Sequence, residues 1–168
     1  MEETYSQCGQ DLYALEKTNN ITNGYYIDIG AFDPYDISNS LLLEKRGWNG
    51  LSFEAANIES KWKAARRNKL IRCDATRFDF AKCFAENNVP KKIDYLSLDI
   101  DGATLDCLRI LPLNDYVFRV ITIEHDEYSR GSWMKDAQRE WLLKHGYKLD
   151  RPDVAYYGNV YEDWWLHD

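Results

Sequence analysis

The chain has 168 residues, of which 45% are hydrophobic and 29% are charged, and its formal net charge at pH 7 is −7. This length predicts a single domain, residues 1–168, because most domains contain roughly 100 to 200 residues. The composition is typical of a globular protein and excludes a fibrous or largely disordered chain. The negative charge disfavours nucleic acid as a partner, because it would repel a phosphate backbone.

Two features of the sequence bear on cellular location. The first 24 residues lack the basic start and apolar run of a secretory signal, and no segment approaches the roughly 20 apolar residues of a membrane span. The cysteines lack the C-x-x-C spacing that is typical of zinc sites. They are scattered along the chain, at Cys8, Cys73, Cys83 and Cys107. We therefore expect a cytoplasmic protein with reduced cysteines and no contact with a membrane.

Strand-like and helix-like segments alternate along most of the chain. Residues 1–23 predict a short helical segment that packs on the domain and ends at an Asn-rich break before Tyr25. Apolar runs predict five buried strands, over 25–29, 50–53, 70–73, 93–100 and 117–124. Apolar residues at helical spacing predict intervening helices over 38–46, 58–68, 78–87 and 103–111. This alternation is the pattern of an α/β fold with a parallel sheet.

The last third of the chain predicts a different arrangement. A fifth helix over 133–145 ends at Gly146, and two strands follow over 147–149 and 154–161. The residues between them, Arg151-Pro152-Asp153, favour a turn, so the two strands should form an antiparallel edge. The prediction is a mostly parallel, seven-stranded sheet with an antiparallel C-terminal edge and helices on both faces.

Acidic residues lie at or just after the end of each of the five apolar strands. They are Asp28, Glu54, Asp74, the pair Asp99 and Asp101, and the pair Glu124 and Asp126. In an open α/β sheet, ligands bind outside the carboxyl ends of the strands. Any one of these acids could cap a helix, but charges that converge on one edge of a sheet are typical of a ligand or metal site.

The residues after the first strand indicate what kind of ligand to expect. After Gly30 the sequence lacks the G-x-G-x-x-G fingerprint, and acidic residues there would repel a pyrophosphate. Glu54 lies 24 residues after Gly30, close to the roughly 20-residue offset at which an acid meets a ribose. A positively charged nucleoside, S-adenosylmethionine, fits these residues. Asp28 would accept hydrogen bonds from its amino-acid end, and Gly30 would permit its close approach.

Several segments, in this order, resemble the FkbM-type family of S-adenosylmethionine-dependent methyltransferases. They are YSQCGQDL, YIDIGAFDP, SNSLLLEKRGWNGLSFE, IDYLSLDIDGATLDCLR, VITIEHDEY and YEDWW, which together span nearly the whole chain. The resemblance implies a Rossmann-like class I methyltransferase fold with S-adenosylmethionine as the cofactor. The sequence departs from the family at Ala55-Ala56-Asn57, where a proline-containing turn is common.

The resemblance also implies roles for individual residues. Asp28, Gly30 and Ala31 would hold the cofactor, with Glu54 on its ribose. Asp74 and Ala75 would lie near its adenine. Asp99 is also assigned to the cofactor site, and the acceptor side would be lined by Asp99, Asp101, Glu124 and His125.

Methyl transfer to a hydroxyl requires that a proton be removed. His125 is the predicted general base, because the pKa of an imidazole lies near neutrality. The imidazole could instead cap the fifth strand, with Asp99 or Asp101 accepting the proton or orienting the base. A divalent cation (magnesium, manganese or calcium) on Asp99, Glu124 and Asp126 is a second way to activate the hydroxyl.

The expected function is O-methylation of a sugar, a glycan or another small polar acceptor. The aromatic residues late in the chain favour such an acceptor, because exposed rings can stack on a sugar. Two alternatives remain open. One is a nucleotide- or partner-binding module that keeps the fold without turnover. The other is a nucleotide-sugar enzyme, which the missing glycine-rich fingerprint disfavours.

Overall fold

Seven strands form one sheet in the computed structural model, which describes residues 3–168. The strands are β1 (Tyr25–Ile29), β2 (Asn49–Glu54), β3 (Lys69–Arg72), β4 (Lys92–Leu98), β5 (Val117–Glu124), β6 (Lys148–Tyr156) and β7 (Asn159–Leu166). Their order across the sheet is β3-β2-β1-β4-β5-β7-β6. Strands β1 to β5 are parallel, whereas β7 runs antiparallel to both β5 and β6. The predicted parallel sheet and its antiparallel C-terminal edge are therefore confirmed.

Helices cover both faces of this sheet. They are α1 (Gln10–Lys17), α2 (Leu41–Lys45), α3 (Glu59–Ala65), α4 (Phe80–Glu86), α5 (Thr104–Ile110), α6 (Glu127–Arg130) and α7 (Trp133–Lys144). One hydrophobic cluster joins Ile27 and Ile29 of β1 to residues of α4, α5 and α7. A second joins Tyr26 of β1 to residues of α1 and α2. Because successive side chains of a strand point to opposite faces, β1 contributes to both clusters.

The short helix predicted near the start of the chain is α1. It packs on the sheet through Tyr13, Ala14 and Leu15, which are buried in the second cluster. Within residues 3–168, no helix combines the length and the apolar character that crossing a membrane would require.

The strand order reverses next to β1. From β1 the chain proceeds outward to β2 and β3, then returns to β4 on the other side of β1 and continues to β5. The crossover connections diverge at such a point and leave a crevice outside the carboxyl ends of the two central strands. The backbone N–H of Asp99, after β4, donates to the carbonyl of Ile29 in β1 over 3.0 Å. The ends of β1 and β4 therefore lie side by side beneath the crevice.

The C-terminal turn is the part of the predicted fold that was wrong. Arg151, Pro152 and Asp153 lie inside β6, and the turn is formed by Tyr157 and Gly158, with φ of 47° and 83°. Two consecutive positive φ angles are typical of the tight turn of a β-hairpin. Strand β6 is at the sheet edge and its pairing with β7 contains register shifts. An edge strand with bulges tolerates a proline, which has no N–H to donate.

Candidate functional site

A cavity of about 640 Å³ opens at the carboxyl ends of the central strands. This volume lies within the range of small-molecule sites, roughly 300 to 1,000 Å³. The cavity lining contains all but one of the site residues predicted from the sequence: Asp28, Gly30, Ala31, Glu54, Asp74, Ala75, Asp99, Asp101, Glu124 and Asp126. The exception is His125.

Gly30 lies where the chain leaves β1 beneath the cavity. Its φ is +86°, and a Cβ at this position would lie 1.7 Å from the backbone oxygen of Asp99. A side chain here would therefore overlap the backbone that follows β4. The sequence predicted that a glycine permits close approach of a ligand. The structure gives a different reason for the glycine: the backbone that follows β4 leaves no room for a side chain at this position.

Asp28 is held at the base of the cavity by a buried polar network. Its carboxylate accepts a hydrogen bond of 2.5 Å from the Ser40 hydroxyl, and the Arg66 guanidinium donates to the Ser40 oxygen over 3.0 Å. Arg66 also pairs with Glu44 over 3.2 Å. Burial raises the pKa of Asp28, although the Ser40 hydrogen bond and the charge of Arg66 act in the opposite direction. This carboxyl group therefore has a fixed orientation and faces the cavity.

Glu54 connects two loops that border the cavity. One carboxylate oxygen accepts from the backbone N–H of Phe32 over 2.9 Å, and the other accepts from that of Ala56 over 2.8 Å. Each oxygen has a second lone pair, so the group can still accept hydrogen bonds from a ligand. Asp74, on the next strand end, accepts from the hydroxyl and the N–H of Thr76, which lower its pKa.

Four carboxyl groups meet on the other side of the cavity, at the ends of β4 and β5. They belong to Asp99, Asp101, Glu124 and Asp126, and one oxygen from each of the last three lies within 4.8 Å of the others. Burial raises the pKa of Glu124 strongly, and the charge of Asp99 adds to this effect. Burial also raises the pKa of Asp99, whose carboxyl is hydrogen-bonded to that of Glu124. The two groups are therefore able to share a proton.

His125 does not reach this cluster. The imidazole is fully buried, its Nδ1 accepts from the backbone N–H of Glu127 over 3.2 Å, and its Nε2 lies 3.7 Å from Asp163 Oδ1. The cavity lining contains Glu124 and Asp126 but not the residue between them. Adjacent side chains at the end of a strand point in opposite directions, so His125 faces the interior. This placement does not fit the predicted general base and corresponds to the alternative, a histidine that closes the end of β5.

Several cavity residues were missed by the sequence analysis, and some of them come from the two ends of the chain. Gln7 and Tyr161 both contribute to the lining. The Tyr161 hydroxyl accepts from Gln10 Nε2 over 3.0 Å, and Gln10 also donates to the buried carboxylate of Glu162. These residues belong to YSQCGQDL and YEDWW, two segments that carried the family resemblance without an assigned role. In the folded protein, these two segments lie together and form one wall of the cavity.

Aromatic and polar side chains border the mouth of the cavity. Phe32 and Tyr128 are 62% and 57% exposed, and Tyr156 and Asn159 lie on the β6–β7 side. Such rings can stack on a flat or cyclic ligand while their polar groups remain in water. On the same side, Arg130 Nε is 3.4 Å from Asp126 Oδ2.

Comparisons with known proteins agree with this fold. The sequence model of the methyltransferase FkbM domain matches residues 6–149. No curated protein matches the chain significantly. A TehB-like SAM-dependent methyltransferase from Corynebacterium glutamicum is similar in structure, with a TM-score of 0.61 and 11% identity over 95% of this chain and 88% of that one.

Two further solved structures show the same likeness. A putative O-methyltransferase from Klebsiella pneumoniae has a TM-score of 0.64 and 8% identity, over 95% of this chain and 80% of that chain. The other is a Burkholderia thailandensis 1,6-didemethyltoxoflavin-N1-methyltransferase with bound 1,6-didemethyltoxoflavin and S-adenosylhomocysteine. It has a TM-score of 0.57 and 9% identity, over 96% of this chain and 80% of that chain. At these identities the likeness concerns the fold alone.

Proposed function

Because the chain belongs to the family of FkbM methyltransferase domains and has the Rossmann-like class I methyltransferase fold, we propose that it methylates a hydroxyl group, with S-adenosylmethionine as the methyl donor. The acceptor is a sugar, a glycan or another small polar molecule. One observation carries the proposal. A single cavity joins the acids at the ends of β1, β2 and β3 to the acids at the ends of β4 and β5. It therefore offers a cofactor side and an acceptor side.

The cofactor side consists of groups that accept hydrogen bonds from a cationic nucleoside. Asp28 faces the ammonium end, Glu54 accepts from the ribose hydroxyls, and Asp74 with Ala75 borders the adenine. The support is that these residues line one cavity and that Asp28 and Glu54 are already oriented by hydrogen bonds within the protein. A preoriented carboxylate binds without first losing rotamer freedom. Gly30 and Ala31 bring the backbone beneath the ligand.

The acceptor side provides the groups for proton transfer. The acceptor oxygen attacks the methyl carbon, a C–O bond forms as the C–S bond breaks, and the sulfonium becomes the neutral thioether of S-adenosylhomocysteine. The hydroxyl proton passes to a carboxylate, for which Asp99 is the best placed, since it lines the cavity and has a raised pKa. A base with a pKa nearer neutrality is a better proton acceptor in catalysis than an ordinary carboxylate.

A divalent cation offers a second way to activate the hydroxyl. A bound cation lowers the pKa of a coordinated oxygen and stabilises the alkoxide that develops. The close spacing of carboxylate oxygens from Asp101, Glu124 and Asp126 supports this possibility.

The mouth of the cavity supports a ring-shaped, uncharged or cationic acceptor. Phe32, Tyr128 and Tyr156 offer aromatic surfaces against which a sugar ring can pack. The four carboxyl groups of the acceptor side would repel a phosphorylated acceptor or a nucleic acid backbone. A carbohydrate is therefore the proposed partner.

The decisive experiment separates cofactor binding from turnover. Isothermal titration with S-adenosylmethionine and S-adenosylhomocysteine should give saturable binding, and Glu54→Ala should weaken it by about 1–3 kcal/mol, the usual effect of losing hydrogen bonds to a charged acceptor. Glu59→Ala, on α3 outside the cavity lining, is the control and should bind as wild type does. Equal affinity of Glu54→Ala and wild type would remove the ribose assignment.

Turnover is then measured by mass spectrometry on a panel of sugars, amines and sugar phosphates. O-methylated neutral sugars are the expected products. A protein that binds the cofactor but methylates no member of the panel would favour the non-catalytic alternative. A protein that binds neither cofactor nor product would contradict methyl transfer altogether.

A further inference from the structure

Gln7 is a polar residue of the cavity wall whose amide is not engaged within the protein. Its side chain lines the cavity and is partly exposed. Among residues 3–168, this amide forms no hydrogen bond to another residue. The nitrogen of a glutamine amide has two hydrogens to donate. Gln7 therefore keeps its full hydrogen-bonding capacity for a ligand in the cavity.

Buried contacts hold the N-terminal segment (residues 3–9) that carries Gln7. Asp11 of α1 is fully buried and accepts hydrogen bonds from the hydroxyls of Thr4 and Ser6, over 2.6 and 2.7 Å. It also accepts from the backbone N–H of Tyr5 over 2.9 Å. The N-terminal segment is therefore fixed against the start of α1 by contacts within the protein.

Two contacts show where the N-terminal segment passes the cavity. Before Gln7, the ring of Tyr5 packs against Lys45 of α2, with 4.4 Å from Nζ to the ring centroid. After Gln7, Cys8 Sγ accepts a hydrogen bond from the Tyr161 hydroxyl on β7 over 3.4 Å. Gln7 lies between these two contacts, which places its amide between the α2 side and the β7 side of the cavity.

The cavity is poor in groups that bind an anion. Among the described residues, its lining contains seven carboxyl groups but no lysine, arginine or histidine. Some of its neutral donors are already engaged. The amide nitrogen of Asn39 donates to Ser97 over 2.9 Å, and the Thr76 hydroxyl donates to Asp74 over 2.7 Å. A ligand that carries a carboxylate therefore finds few side-chain donors, and Gln7 is one that is free.

S-adenosylmethionine carries such a carboxylate, on the same carbon as its ammonium group. If Asp28 faces the ammonium, the sulfonium faces the acids at the ends of β4 and β5, and the amino-acid end lies between them. Asp28 is bonded to Ser40, the N-cap residue of α2, so this end lies on the α2 side of the cavity. The acids around the carboxylate would repel it, so it requires a donor.

We infer that Gln7 donates a hydrogen bond to the carboxylate of the amino-acid end of S-adenosylmethionine. The inference rests on the proposed function, since it concerns the same cofactor, and it adds the residue that binds the carboxylate. A neutral amide binds this group without offsetting the negative charge that favours the ammonium and the sulfonium. Gln7 thus distinguishes the complete cofactor from a nucleoside that lacks the carboxylate.

The test compares S-adenosylmethionine with decarboxylated S-adenosylmethionine, which keeps the sulfonium and the ammonium but lacks the carboxylate. Both dissociation constants are measured by isothermal titration on the full chain. Gln7→Ala should weaken binding of S-adenosylmethionine about tenfold, near the lower end of what a hydrogen bond to a charged group contributes. It should change binding of the decarboxylated ligand less than about twofold, as expected for independent groups.

Gln7→Glu is a second variant that replaces the donor amide with a carboxylate of the same shape. It should weaken binding of S-adenosylmethionine at least as much as Gln7→Ala does. It should tighten binding of the decarboxylated ligand, because that ligand carries only positive charge. Both variants should fold, since the Gln7 amide forms no hydrogen bond within residues 3–168, and circular dichroism checks this. Asn114→Ala, which removes an exposed amide outside the cavity lining, is the control and should bind both ligands as wild type does.

The outcomes separate this inference from the proposed function. Equal changes for the two ligands in Gln7→Ala, or no change for either, would overturn the inference. Weaker binding of the decarboxylated ligand to Gln7→Glu would also contradict it. In these cases, binding of S-adenosylmethionine by the wild type would leave the proposed function in place. A wild-type protein that binds neither ligand would contradict the proposed function itself, and the inference with it.

Discussion

At the scale of single residues, unusual backbone conformations occur at the cavity. Gly30 has φ of +86°, and Asp101 and Asp126 both have φ of 53°. Conformations of this kind cost about 1–3 kcal/mol for residues other than glycine and persist only where the surrounding structure enforces them. At Gly30 the neighbouring backbone oxygen of Asp99 excludes any side chain. The base of the cavity is thus defined by backbone as much as by side chains.

The first prediction concerns Gly30→Ala. A methyl group at Gly30 would overlap the Asp99 oxygen, whereas one at Gly158, which also has positive φ, would contact nothing within 4 Å. Gly158→Ala should therefore lower the free energy of unfolding by about 1–2 kcal/mol, the conformational cost alone. Gly30→Ala should lower it by a further 1–3 kcal/mol or so, which is typical of overpacking. Urea unfolding of the two variants checks this, and equal losses would show that β1 and β4 can separate without cost.

At the scale of elements, one buried carboxylate joins α7 to the antiparallel edge of the sheet. Arg139 of α7 donates to both oxygens of Asp163 on β7, over 2.7 and 2.9 Å, and the backbone N–H of Asp153 on β6 donates over 2.8 Å. Asp163 is 1% exposed. Burial acts to raise its pKa, but the hydrogen bonds from Arg139 and from the backbone N–H of Asp153, together with the nearby imidazole of His125, outweigh this effect and hold the pKa well below its usual range.

The second prediction follows from the lowered pKa of Asp163. A carboxyl whose pKa is lower in the folded state stabilises the fold above its unfolded pKa of about 3.9, and this contribution is lost as the pH falls through the folded pKa. At pH 7, Asp163→Asn should lower the free energy of unfolding by about 3–5 kcal/mol, because it leaves Arg139 without its buried partner. The difference from wild type should shrink as the pH falls below about 4.

Urea unfolding of wild type and Asp163→Asn at pH 7, 4 and 2.5 provides the measurement. Asp136→Asn, an exposed acid on α7, is the matched control and should change stability little at any of these values. A difference between wild type and Asp163→Asn that stays constant with pH would contradict the ionised state of Asp163.

At the scale of the whole molecule, residues from both ends of the chain contribute to the cavity. Gln7 precedes α1 and Tyr161 lies on β7, and both line the same cavity as Asp28 and Glu54. The hydrogen bonds of Gln10 to Tyr161 and Glu162 connect these ends. A ligand in this cavity would therefore contact elements that separate on unfolding, so its binding should stabilise the complete fold.

The third prediction is the size of this stabilisation. S-adenosylhomocysteine at 100 times its dissociation constant should raise the free energy of unfolding by about 2.7 kcal/mol. For a chain of this length, that corresponds to a rise in melting temperature of roughly 5–11 °C. Differential scanning calorimetry measures the shift, with free methionine as a control ligand that should give none. No shift at saturating S-adenosylhomocysteine would contradict the cofactor site.

The sequence alone determined the fold class and the acidic residues that line the cavity at the strand ends. Strands β1 and β5 were predicted with the bounds that the structure has, because a strand buried on both faces is continuously apolar and ends at a polar residue. The acids at the strand ends were predicted to converge because parallel strands bring their carboxyl ends to one edge. Both conclusions use signals that are local in the chain.

The tertiary structure decided which side chains reach the cavity and what holds them there. His125 follows Glu124 directly, yet it faces the interior, since a shift of one residue along a strand reverses the direction of the side chain. The requirement for Gly30 comes from the Asp99 oxygen, and the Gln10–Tyr161 wall joins opposite ends of the chain. Such contacts depend on packing between distant segments, and neither composition nor periodicity within a segment records which distant atoms will pack against it.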